Sequence, residues 1–175
     1  MLGGQEAKLE LAWAEPAEEL KLVIRLTNTG LAPIKVDRQL ILPIGVRAWD
    51  AKGNELRTDS AEDSAVAPRD TDWPERVIEL RAGGSIERIV DLANGFRIAC
   101  HEIATWGRRR PDGSRSEEMK CEVVEPPLRF VNPEHISFVA VQFFVGKVDM
   151  EVLGGYGVDT TALYDGHLEA AIKAP

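Results

Sequence analysis

Cysteine is scarce in this sequence, with only Cys100 and Cys121 in 175 residues. Neither a Cys-x-x-Cys nor a His-x-x-x-His spacing occurs, so no common zinc motif is spelled out. A Gly-x-Ser-x-Gly nucleophile elbow is missing. The first seven residues, Met1 to Ala7, carry no basic segment followed by an apolar one, so they do not read as a secretory leader. The longest apolar run, Ile136–Val145, is interrupted by Ser137 and Gln142. It falls far short of the ~20 apolar residues of a membrane-spanning helix. Asn-x-Ser/Thr acceptors are absent, because Asn28-Thr29 is followed by Gly30 and Asn132 by Pro133.

What is present is an ordinary globular composition, 44% hydrophobic and 29% charged, too apolar for intrinsic disorder. The length suits one domain spanning residues 1–175. The net charge of −8 opposes binding to nucleic-acid phosphates and to anionic membranes. A protein or a small anionic ligand remains as the class of partner, and the oligomeric state is left open.

Period-two alternation dominates, and helical periodicity is rare. Lys8–Trp13 places Leu9, Leu11 and Trp13 on one face. Leu20–Thr27 places Leu20, Leu22, Ile24 and Leu26 inward, and Asn28-Thr29-Gly30 stops that strand. Further strands are predicted around Ile34, Val36 and Leu40, over Val46–Asp50 and Asn54–Thr58 flanking a turn, and over Arg76–Leu80 and Ser85–Leu92. Others are expected over Phe96–Trp106, Ile136–Val145 and His167–Lys173. The run from Ile136 is apolar on both faces, which suits a central strand covered on both sides. Trp13 and Trp49 are expected in the core, Trp73 and Trp106 at loop edges. Short helical turns are expected only within residues 59–72 and 158–164. Ten or eleven short strands punctuated by turns make an all-β protein, an antiparallel β-sandwich with long inserted loops.

Four segments carry a family resemblance. They are Leu22-Val23-Ile24-Arg25-Leu26-Thr27-Asn28-Thr29-Gly30, Val46-Arg47-Ala48-Trp49-Asp50-Ala51-Lys52-Gly53, Leu80-Arg81-Ala82-Gly83-Gly84-Ser85, and Tyr164-Asp165-Gly166-His167-Leu168-Glu169-Ala170. Together they resemble a bacterial immunoglobulin-like β-sandwich module. Ala82 stands where such modules usually have proline, and Ala170 where they usually have serine. The resemblance implies a fold and an accessory, adhesive or inhibitory role, and assigns no residue a function.

The search for chemistry finds little. Cys100 and His101 are adjacent, and neighbours on a strand point to opposite faces, so they cannot form a thiol–imidazole pair. The three histidines, His101, His135 and His167, are far apart in sequence. Asp59, Glu62, Asp63, Asp70 and Asp72 crowd one loop. Oxygen-rich loops suit calcium, but the Asp-x-Asp-x-Asp-Gly order is missing, and a solvated charged loop is the simpler reading. Gly155-Tyr156-Gly157 lacks the third glycine of a dinucleotide fingerprint. Tyr156 is a candidate ligand platform, and a plain turn is the alternative.

The strongest anomaly is electrostatic. Residues 106–115 hold four arginines, Arg108, Arg109, Arg110 and Arg115, against the single Asp112, on an acidic chain. Arginine forks suit carboxylate or phosphate partners, and Trp106 adds a stacking surface. Cys100 and Cys121 flank this segment at spacings close to those of a hairpin pair, so either a disulfide or two buried thiols fits. A disulfide favours an extracytoplasmic location, periplasmic or secreted; the cytoplasm is the alternative.

No catalytic constellation or cofactor is indicated, and the reading is a non-enzymatic binding or interaction module that uses loops at one end of the sandwich. The alternatives are a proteinase inhibitor presenting residues 107–118 or 59–74 as an extended loop, and a calcium-dependent ligand-binding domain.

Overall fold

Alternating apolar and polar residues make extended chain the cheapest way to bury one face, and the computed structural model of the protein is built from it. It describes residues 6–37, 44–60, 77–96, 128–144, 163–164 and 166–175. Within them lie ten strands: β1 (Ala7–Trp13), β2 (Lys21–Asn28), β3 (Ile34–Asp37), β4 (Ile44–Trp49), β5 (Thr58–Ser60), β6 (Val77–Leu80), β7 (Ser85–Asp91), β8 (Leu128–Phe130), β9 (Phe138–Phe144) and β10 (His167–Lys173). All named strand pairs are antiparallel. The protein is all-β.

The strands form two three-stranded sheets, β1-β2-β7 and β10-β9-β4, and two short pairs, β3-β6 and β5-β8. One apolar cluster draws on all four. Leu22, Ile24 and Leu26 of β2 are fully buried, with Val139 and Val141 of β9, Ile34 of β3 and Phe130 of β8 beside them in that cluster. Each such side chain removed from water contributes about 1.5–3 kcal/mol. At the edges the two larger sheets are joined where the Trp13 indole Nε1–H donates to the Lys173 carbonyl at 2.8 Å.

Consecutive strands repeatedly change sheet. β2 leads to β3, and β6 leads to β7, yet β3 pairs with β6 while β2 pairs with β7. The β6–β7 crossing uses Arg81–Gly84, where Gly83 has φ +75°, a value that costs glycine least. Asn28 sits at both crossings. Its Nδ2 donates to the carbonyls of Ala32 and Leu80, each at 2.9 Å, and its Oδ1 accepts from the Gly30 amide at 2.9 Å. Its main chain bonds to Gly83 and Gly84. The residue that reads as a strand stop is a fully buried polar pin.

Several sequence expectations need correction. Leu20 is not in the strand. It caps a 3-10 turn, Ala17–Glu19, with left-handed φ 55°. The expected second arm, 54–58, pairs with β4 only briefly, through the main-chain bonds Asp50–Asn54 and Leu56–Ala48. A single Trp49–Glu55 bridge follows the turn, and the chain then pairs as β5 with β8. Asp59 is therefore a strand residue rather than part of an acidic loop, and it accepts from Arg129 Nε at 3.1 Å. Trp49 is half-buried on the outer face, because the fully buried Ala48 takes the inward position beside it. The described helical turns are Ala17–Glu19 and Pro133–His135, while the helical turns expected within 59–72 and 158–164 lie outside the described residues, apart from 59–60 and 163–164. β9 is central as expected, but its outer face is not fully covered, since Phe138 is 39% exposed. Leu40 and the strand expected over Phe96–Trp106 lie outside the described residues, apart from Phe96.

Candidate functional site

The sequence-derived candidates Trp106, Arg108, Arg109, Arg110, Arg115, Tyr156, Cys100 and Cys121 lie outside the described residues. So do Glu62, Asp63, Asp70 and Asp72. The two residues that bracket 97–127 are described. Phe96 and Leu128 exchange two main-chain hydrogen bonds, at 2.8 and 2.7 Å, so the residues flanking 97–127 are held side by side on the framework.

Registry separates the two described histidines. His167 pairs with Phe144 at one end of β9–β10, whereas His135 leads into Phe138 at the other. Seven strand residues, roughly 20 Å, lie between those ends. No group of three or more His, Cys, Asp or Glu that could hold a metal ion occurs among the described residues.

The end of the strands that holds Phe138 carries an open cleft of about 700 Å³. Three segments wall it: the turn after β4, the Pro133–His135 turn, and the last residues of β10. Asp50, Lys52, Glu134, His135, Ser137 and Lys173 line it.

Local chemistry fixes each wall. Asp50 Oδ1 accepts from the amides of Lys52 (2.8 Å) and Asn54 (2.9 Å), and Oδ2 accepts from Asn54 Nδ2 at 3.1 Å. This is the side-chain-to-backbone closure that makes Asp favourable at turn starts. The Asn54 side chain, and then its amide, hold the Asp50 carboxyl below its ordinary value of 3.8. Gly53, at φ +82°, donates to the Asp50 carbonyl at 3.0 Å. Pro133 starts the second wall, and the Ile136 amide closes it on the Pro133 carbonyl. The walls are tied by the main chain, Ser137 to Trp49 at 2.8 Å and Ala174 to Ser137 at 2.9 Å.

Beside the cleft, Arg47 grips Glu55 with two hydrogen bonds, at 2.7 and 2.6 Å. Each partner favours the charged form of the other, lowering the Glu55 pKa and raising that of Arg47. The Arg47 guanidinium also lies 5.2 Å from the Trp49 ring centre, and Trp49 packs on Phe138 at 5.7 Å.

Lys52, His135 and Lys173 were not singled out from the sequence as site residues. The turns at Asp50–Gly53 and Pro133 are legible there, but their meeting at one end is a consequence of registry. Compared with protein-family models, curated proteins and solved structures, the chain matches none.

Proposed function

We propose that this protein is a non-enzymatic binding module built as an immunoglobulin-like β-sandwich. Its working surface is formed by turns and loops at one end of the strands. The observation that carries this reading is the cleft of about 700 Å³ walled by two turns and the end of β10, tied together through the main chain. A rigid antiparallel framework that presents turns is the common arrangement for recognition. The supporting fold features are the shared apolar core of the sheets and the two sheet-changing connections pinned by Asn28.

In this reading Trp106, Arg108, Arg109, Arg110, Arg115 and Tyr156 supply a second contact region for a protein or an anionic ligand. The pairing of Phe96 with Leu128 supports it by bringing together the two residues that bracket 97–127. Affinity capture from source lysate tests the proposal, with wild type compared against the Arg108/Arg109/Arg110→Ala triple variant. The expected outcome is one or more partners captured by the wild type and lost by the variant. Identical capture by both chains removes the arginine segment from the binding surface.

A further inference from the structure

The formal charges around the cleft are even: Asp50 and Glu134 against Lys52 and Lys173. Their hydrogen-bonding capacity is not. Three donors from Lys52 and Asn54 already occupy the Asp50 carboxylate. Glu134 stands 3.9 Å from the His135 Nε2. Neither the Lys52 nor the Lys173 ammonium forms an ion pair with another described residue. The Asp50 carboxylate is engaged with its own turn, and the two ammonium groups outnumber Glu134, which lies beyond hydrogen-bonding distance of His135. Ser137 and His135 add further hydrogen-bonding groups beside them.

From this we infer that the cleft binds the anionic group of a small ligand, a carboxylate or a phosphate, held by Lys52 and Lys173. The inference deepens the binding-module reading and rests on it. Charge-assisted hydrogen bonds are the stronger kind, and the tied walls reduce the ordering cost of forming them. Asp50 shapes the site rather than competing in it, because its oxygens hold the Lys52 and Asn54 amides in place.

The test is a titration of the full chain followed by amide proton–nitrogen NMR. Inorganic phosphate and citrate are the two probes, at ionic strength held constant with chloride. The expected result is saturable shifts at Lys52, Asn54, His135, Ser137 and Lys173, weakened about tenfold or more in the Lys52→Ala/Lys173→Ala variant. Saturation by citrate alone, or by phosphate alone, identifies which anion the cleft prefers. Undisturbed shift dispersion shows that the variant is folded. Shifts that grow linearly without saturating, or that the double variant retains, overturn the inference. Partner capture is scored separately: a chain that captures its partner yet shows no saturable anion shift keeps the module reading and loses the anion site.

Discussion

Asn28 donates from Nδ2 to the Leu80 carbonyl oxygen at 2.9 Å, across 52 residues of sequence. That bond joins the end of β2 to the end of β6, strands of different sheets. With the bonds to Ala32 and Gly30 it saturates both amide hydrogens and engages the amide oxygen. Asn28→Ala leaves two carbonyls and one amide without these partners inside the fold. The expected loss is about 2–4 kcal/mol, read as a lower denaturation midpoint with unchanged denaturant slope. Asn28→Asp should be at least as damaging, since it turns an oxygen toward the carbonyls that now accept. An aspartate variant as stable as wild type would remove Asn28 from its pinning role.

Gly166 is required by proximity. A Cβ built there would overlap both the Tyr164 hydroxyl and its Cζ. Tyr164 is buried and packs on Phe143 with ring centres 5.6 Å apart, which limits its room to yield. Gly166→Ala should therefore cost about 1–3 kcal/mol in thermal or chemical unfolding. Adding Tyr164→Phe should not restore stability, because the ring carbon collides as well as the hydroxyl. Full recovery in the double variant would place the whole conflict at the hydroxyl.

The Arg47–Glu55 pair is exposed, with side chains 53% and 46% accessible. Glu55→Gln is expected to leave the denaturation midpoint essentially unchanged, because solvent screens an exposed pair. Arg47→Ala also uncovers one side of Trp49, so it should alter tryptophan emission more than Glu55→Gln does. Equal spectra for the two variants would show that the guanidinium does not sit on the ring in solution.

Acid should loosen the Asp50 turn at a defined point. The folded carboxyl titrates below its ordinary value of 3.8. A depressed pKa gives a contribution that is present above the unfolded value and lost as pH falls through the folded one. Amide shifts of Lys52 and Asn54 should therefore titrate with a midpoint below 3.8. A midpoint above 3.8 would contradict the hydrogen bonding described.

Much of the fold is legible because strand side chains alternate. Leu22, Ile24 and Leu26 read as inward from β2 alone, and all three are fully buried. Leu168, Ala170 and Ile172 likewise take the inner positions of β10 and pack against the core. The pattern misleads where a local backbone choice interrupts it. Leu20 continues the alternation by composition, but its left-handed φ lifts it out of the strand. Trp49 looks like core by size, yet its neighbour Ala48 holds the inward parity.

Residue order by itself determined the all-β class, the main turns and the inward face of several strands, because these depend on side chains only a few positions apart. Tertiary structure alone decided that Asn28 clamps two crossings, that Gly166 must lack a side chain, and that Lys52 and Lys173 share a cleft. Those relationships join residues distant along the chain, and strand registry sets them once the apolar faces have packed together.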